Sequence, residues 1–401
     1  MSGSSFYSPL AKHWNIDPSV AFLNHGSFGA TPRKILKLQQ KLRDRLEAEP
    51  VRFMARELES LWYDARKATA EFLGCNPQNL VFVKNATMGV NTVIKSLQLQ
   101  KGDEVLMTNH EYGACANTLK FYAEKRGWKV VIAKVPYPLS SENEVVEAVM
   151  KMVSQKTKFV LLDHVTSATG TIFPVEKIIS LLKEKNIEVM IDGAHAPGML
   201  DLQIEKTGAD YYTGNGHKWI CSPKGSAILY VSEEKQKKIV PLQVSHHYDR
   251  PVAEEEKWAG TFFWPGTDDY TAFLCVPAAI EMMGNIYKGG WAELRSRNHT
   301  LALEARNLIA KKMKSEYPLP DNMIGSLANI HLGPASLPGY GFNYIHPLQE
   351  KLFSRYNIQV PVIVFPAENP QLWVRISAQA YNHISQYEYL AEALEKEWKR
   401  K

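Results

Sequence analysis

The chain has 401 residues, 45% of them hydrophobic and 22% charged, the make-up of an ordinary folded protein too long for one small domain. Its 47 basic and 42 acidic side chains are spread along the sequence and leave a formal charge of +5. No basic block interleaves with aromatics and no apolar run approaches the roughly 20 residues that cross a bilayer, so neither nucleic acid nor membrane is an expected partner.

Helical periodicity covers 36–49 and 58–73, the second stopping at Gly74. Leu80 to Val83 reads as a short strand and 87–97 as a helix. Strand 104–107, helix 114–126 and strand 129–133 follow, then helix 145–152, buried strand 159–163 and helix 175–185. Strands 188–191, 211–213 and 227–231 complete the run. Strands separated by helices of this length predict a mainly parallel sheet sandwiched by helices. Past the proline- and glycine-bearing stretch 264–277 the texture changes. A long helix is expected over 278–314, interrupted near Gly289-Gly290, then strands near Ile330, 358–364 and 372–376, and a final helix over 386–400. The expected fold is α/β: an N-terminal arm (1–30), a large domain (31–277) and a smaller α+β C-terminal domain (278–401).

Cys75, Cys115, Cys221 and Cys275 lie far apart without a CxxC spacing, so isolated reduced thiols are expected rather than a zinc ribbon or a disulfide framework. The polar stretch 1–15 lacks the apolar segment of a secretory signal, and the expected location is the cytoplasm.

Three segments carry chemistry. An apolar strand ends directly in Asp192, then Gly-Ala-His195, and the carboxyl ends of parallel strands form the ligand crevice. A carboxylate there could pair with a protonated pyridine nitrogen; the bland reading is a helix cap. Gly214-Asn-Gly-His217-Lys218-Trp219 sets a lysine among glycines, a histidine and a tryptophan. Burial and nearby cations would lower its pKa and free an imine-forming amine, although most lysines are simply exposed. Lys84-Asn-Ala86-Thr87-Met-Gly89 follows a strand and opens a helix, where backbone N–H groups and the Thr87 hydroxyl can meet an anion, unless Thr87 is an ordinary N-cap. In a further loop of this kind, 109–113, Tyr112 could stack on a ring or sit idle on the surface. His246-His247 does not suggest a metal site, since adjacent histidines point apart on most backbones, and no metal is expected.

Asn85-Ala86-Thr87, His110-Glu-Tyr112, Asp192-Gly-Ala-His195 and Gly216-His217-Lys218 together resemble the class V aminotransferase family, fold type I enzymes dependent on pyridoxal 5'-phosphate (PLP). Phe22-Leu-Asn24-His25-Gly26-Ser27-Phe-Gly29 resembles the branch with isopenicillin N epimerase-like proteins, cysteine lyases and hercynylcysteine sulfoxide lyases. The resemblance spans essentially the whole chain. It implies a PLP-dependent transferase-like fold with Lys218 as the Schiff-base lysine and proton shuttle. Asp192 would contact the pyridine nitrogen, His195 and Ser167 the ring hydroxyl, and Tyr112 would stack on the ring. Ala86, Thr87 and His217 would hold the phosphate. Gly266-Thr267 would reach the phosphate of a neighbouring subunit, which implies a homodimer with shared sites. Arg375, in Leu-Trp-Val-Arg-Ile-Ser, would bind the carboxylate of an amino-acid substrate with help from Asn24; a strand-edge salt bridge is its structural alternative.

Cysteine desulfurases of the class carry a catalytic cysteine on a small-domain loop, and 322–344 contains none. The expected reaction is therefore β-elimination or β-replacement at a cysteine-derived substrate, of C–S lyase type, with epimerisation and transamination as alternatives. A nicotinamide-dependent oxidoreductase is disfavoured by the lack of GxGxxG after the first strand. A non-catalytic PLP-fold binding protein is disfavoured by the presence of both Lys218 and Asp192. Substrate side-chain contacts are expected from loops 244–250 and 334–344.

Overall fold

The seven apolar runs between residues 80 and 231 assemble into one sheet. The structure, a computed structural model, describes residues 6–251, 253–337 and 345–398. In chain order the strands are β1 (Ala21–Phe22), β2 (Leu80–Val83), β3 (Glu104–Thr108), β4 (Lys129–Ala133), β5 (Thr157–Asp163), β6 (Glu188–Asp192), β7 (Tyr211–Asn215) and β8 (Ala227–Val231). The large sheet has the order β2-β8-β7-β6-β5-β3-β4. β7, β6, β5, β3 and β4 are mutually parallel, and β8 runs antiparallel to both its neighbours.

Helices Ala86–Ser96, Gly113–Arg126, Glu142–Lys151 and Val175–Lys183 link successive strands and flank the sheet. Every residue of β2, β3, β7 and β8 is buried as a result. This is why the strands read as continuous apolar runs, whereas β4, at the sheet edge, keeps Lys129 and Ile132 exposed. β3 and β5 are neighbours although β4 lies outside β3, so the crossovers leave this pair in opposite directions. Such a switch point opens a crevice beyond the carboxyl ends of the strands. Here those ends are Thr108 and Asp163.

Beyond β8 come β9 (Leu327–Pro334), β10 (Ile358–Gln359), β11 (Val362–Phe365) and β12 (Gln371–Ser377). The last two join β9 in an antiparallel sheet ordered β11-β12-β9. The single strand expected over 358–364 is thus two. β10 pairs in parallel with β1, tying the N-terminal arm to this part of the chain. Pro361, which has no N–H to offer a ladder, separates β10 from β11. The expected break in the long helix appears between Val276–Gly284 and Gly290–Met313, and the second piece packs on β9 and on the final helix, Ile384–Glu397. Helix Leu58–Leu73 ends at Gly74 in the left-handed conformation, at φ +66°. Residues 399–400 of the expected final helix lie outside the described residues. Strand β1 and helices His25–Phe28 and Lys257–Phe263 were not expected.

The two sheets share one apolar core. His110, just past β3, packs its ring 4.6 Å from Phe365, and Tyr137 lies 4.6 Å from Trp373. Aromatic pairs of this kind contribute about 0.5–1.5 kcal/mol each beyond their buried area.

Candidate active site

Asp192 closes β6 with its side chain buried, and both carboxyl oxygens take donors. Oδ1 accepts the Ala194 N–H at 2.9 Å and Oδ2 the Cys115 thiol at 3.2 Å. Burial raises Asp192 above the ordinary carboxylate range. Lys218 comes from the turn after β7, and its Nζ lies 3.0 Å from His195 Nε2. The Trp219 indole donates to His195 Nδ1 at 3.4 Å, which leaves the imidazole proton on Nε2, facing the lysine. That arrangement needs a neutral amine as acceptor. Burial, with the Arg375 charge nearby, brings Lys218 down to about 7, and burial with the Lys218 charge holds His195 neutral, well below its usual range. Lys218, Asp192, His195, Ser167 and Tyr112 all line one cavity of about 600 Å³. Tyr112 is half exposed at the start of helix Gly113–Arg126.

The N-terminal arm fixes the backbone of this turn. His25 is buried and bridges the Lys218 carbonyl, at 2.9 Å from Nε2, and the Tyr381 hydroxyl, at 2.7 Å from Nδ1. The Gly26 N–H donates to Ser377 Oγ. Gly29 sits at φ +69°, and a Cβ there would stand 2.0 Å from the His217 carbonyl oxygen. Only glycine allows both that conformation and that approach.

At the other end of the cavity Asn85, not Thr87, caps helix Ala86–Ser96, accepting from Met88 N–H. The Ala86 N–H is taken by Asn215 Oδ1. Thr87 therefore keeps its first-turn N–H and hydroxyl for an anion. His217 donates from Nδ1 to the Ser226 carbonyl, and burial with the Lys218 charge brings it down to about 4. Lys84, also on the wall, pairs with Asp268 at 2.7 Å. Thr267 is exposed beside that pair and does not line this cavity.

Arg375, on β12, is buried and reaches the cavity from the small sheet. It donates to the Ser167 carbonyl and to Ser27 Oγ, whose own proton goes to Asn24 Oδ1 at 2.6 Å. Its Nε has no partner, and no ion pair among the described residues includes it. The strand-edge salt bridge weighed above is therefore not formed. His247 Nε2 meets Arg250 at 2.6 Å, and Arg250 pairs with Glu59. Of the loop 334–344, residues 338–344 lie outside the described residues.

Four further residues meet at the site without a motif of their own. Ser27 links Asn24 to Arg375. Glu111, Asp163 and Cys115 gather around Asp192, and Asp163 ends the apolar β5 just as Asp192 ends β6, which is visible in the sequence as an apolar run closed by an aspartate.

The donor set fits PLP. A buried amine, a buried carboxylate, a buried guanidinium and a helix start with free donors line one cavity. Residues 26–332 match the family model described as aminotransferase class-V. Over 394 residues the chain is 32% identical to isopenicillin N epimerase from Amycolatopsis lactamdurans, covering 95% of this chain and 96% of that one. It is 28% identical to the probable L-cysteine desulfhydrase, chloroplastic, of Arabidopsis thaliana, over 98% of this chain and 86% of that one. Its fold matches the cystine C–S lyase C-DES, solved with its product cysteine persulfide, at a TM-score of 0.76 and 19% identity, covering 94% and 97% of the two chains.

Proposed function

The chain belongs to the aminotransferase class-V family, and from that premise we propose that it is a PLP-dependent lyase that eliminates the sulfur substituent of a cysteine-derived amino acid. The observation that carries the reading is the Lys218 amine, 3.0 Å from His195 Nε2 in a cavity shared with Asp192 and Arg375, where burial lowers its pKa. When bound, PLP supplies an electron sink that acidifies the α-proton of an attached amino acid. Lys218 would hold the cofactor at rest, and its neutral amine would serve as the base for that proton. Asp192 would meet the ring nitrogen, His195 and Ser167 the ring hydroxyl, and Tyr112 the ring face. Ala86, Thr87 and His217 would border the phosphate. Arg375 takes the substrate carboxylate in its planar fork, steadied through Ser27 and Asn24.

Desulfhydrase chemistry supports the choice of bond, since a relative of that name covers nearly all of this chain. With cysteine, elimination and one water give sulfide, pyruvate and ammonia. A persulfide on an enzyme thiol is disfavoured, because all four cysteines are buried and burial pushes Cys75, Cys221 and Cys275 up to about 12. Epimerisation is the second reading, favoured by the 32% identity with isopenicillin N epimerase.

We also read the protein as a homodimer in which Gly266-Thr267 serves the partner's phosphate site. The exposure of Thr267 outside the cavity of its own chain supports this. Four unpaired thiols suit a reducing compartment, and the cytoplasm is the proposed location.

The spectrum of the purified protein tests the cofactor: a band at roughly 410–430 nm is expected from PLP held on a lysine. No band, and no lysine labelled by borohydride, removes the reading. Incubation with cysteine, cystine and cysteine sulfoxide conjugates tests the reaction. Pyruvate release supports elimination, an inverted α-carbon without pyruvate supports epimerisation, and bound PLP without turnover points to a binding protein.

A further inference from the structure

We propose that Glu111 is a positioning residue that carries the proton of a three-carboxyl cluster and so leaves Asp192 an anion toward the cofactor's ring nitrogen. Only the last clause rests on the PLP reading above. The cluster lies at the switch point of the sheet: Glu111 in the loop after β3, Asp163 at the end of β5 and Asp192 at the end of β6. The register pairs Asp163 directly with Asp192, so the two leave adjacent parallel strands side by side. Glu111, Cys115 and Asp192 bring their polar atoms within 4.8 Å of one another. Glu111 is 8% exposed, and Asp163 and Asp192 are 2% exposed each. Like charges this close, with so little water, do not all ionise.

The surroundings decide where the proton sits. Asp192 accepts an N–H and an S–H, both of which favour its anion. Asp163 Oδ2 is, like an oxygen of Glu111, buried without a partner, but Asp163 and Asp192 line the cavity, where the Lys218 charge favours their anions. Glu111 lies behind them, off the cavity wall, with Asp163 on β5, Asp192 on β6 and Cys115 on the following helix as the titratable groups around it. Its Oε1 accepts the Tyr112 N–H at 3.1 Å, and its buried Oε2 has no partner. A bare, charged oxygen in such a place is costly; a protonated one is far less so. Burial and the two aspartates hold Glu111 well above the ordinary range, which agrees with this placement.

The test starts without cofactor. Glu111→Gln keeps the acceptor for Tyr112 and the neutral shape. A carboxyl that holds its proton more tightly when folded contributes stability at low pH and loses it as pH rises. Melting temperatures of the two apoproteins, compared from about pH 5 to about pH 9, should therefore diverge in favour of Glu111→Gln. The divergence reaches about tenfold in the folding constant per pH unit while Glu111 stays protonated. A difference that stays constant with pH overturns the proposal. With PLP, Glu111→Gln should bind within about threefold of wild type, because both side chains are neutral; a loss of about tenfold or more, worth one pKa unit, shows that Glu111 is an anion and overturns it. A measurement that needs no variant is the infrared C=O stretch of an un-ionised carboxyl at about pH 8, where exposed carboxyls have ionised. Its absence overturns the proposal too. Stabilisation of wild type by zinc or manganese, lost in Glu111→Gln, would make the trio a cation site instead and overturn it. Wild type that binds no PLP sinks the functional reading, while the apoprotein series still reports the proton on Glu111.

Discussion

A lysine amine near neutrality needs no separate base to become a nucleophile, and the pH behaviour of the site follows. Uptake of PLP by the apoprotein should accelerate as pH rises through about 7, where Lys218 loses its proton, as followed by stopped-flow absorbance. A midpoint at the usual lysine value of 10.5 rejects this assignment. The same depressed value costs stability. The unfolded chain binds more protons between about 7 and 10.5, so stability rises with pH across that window. Lys218→Met should thus raise the melting temperature of the apoprotein most at pH 7 and below, with a gain that shrinks toward alkaline pH. Arg375→Lys should leave the PLP spectrum in place and lower kcat/KM by roughly two orders of magnitude, mainly through KM, because a point charge does not reproduce the bidentate fork. An unchanged KM in steady-state kinetics would remove Arg375 from the substrate site. Lys218, Asp192, His195 and Arg375 are legible in the sequence because each stands in a local pattern: a strand end, a glycine-flanked turn, a strand among apolar neighbours. Asp163 stands at the end of an apolar strand as Asp192 does, whereas Glu111 and Cys115 acquire meaning only when β3, β5 and β6 lie side by side, and nothing within a ten-residue window records that.

Among elements, the strand-and-helix alternation from 80 to 231 is legible because each strand is covered on both sides and stays apolar throughout. What defeats a local reading is pairing between distant short segments. β1 has two residues and exists through β10, while Pro361 divides a stretch that looks uniform in hydrophobicity. The short helix His25–Phe28 is held by bonds to Lys218, Ser377 and Tyr381 rather than by its own propensity. Gly29 is its most exacting position. Gly29→Ala should lower stability by about 2–4 kcal/mol, from a left-handed φ and a clash with the His217 carbonyl, and should weaken PLP binding by displacing Lys218. Thermal melts and PLP titration check both effects; a variant with wild-type affinity would show that the arm does not set the lysine.

For the whole molecule, the homodimer reading predicts a solution mass of twice 45.4 kDa by light scattering. It also predicts that Thr267→Ala weakens PLP binding several-fold although Thr267 does not line the cavity of its own chain. A monomer that binds PLP with full affinity would dismiss the shared site. The layered architecture was readable from the order of strands and helices, whereas the return of the arm to the far end of the chain was not, since no local residue encodes a partner 356 positions away. That return has a consequence for synthesis on the ribosome. The large sheet can form while later codons are still being read, but His25 must wait for Tyr381 and β1 for β10. A nascent or prematurely terminated chain ending before residue 358 could therefore carry Lys218 and Asp192 on a folded sheet without the strap that sets them, or Arg375. Emergence of residues 358–381 would then be the moment at which the catalytic centre is assembled, leaving no active shorter products.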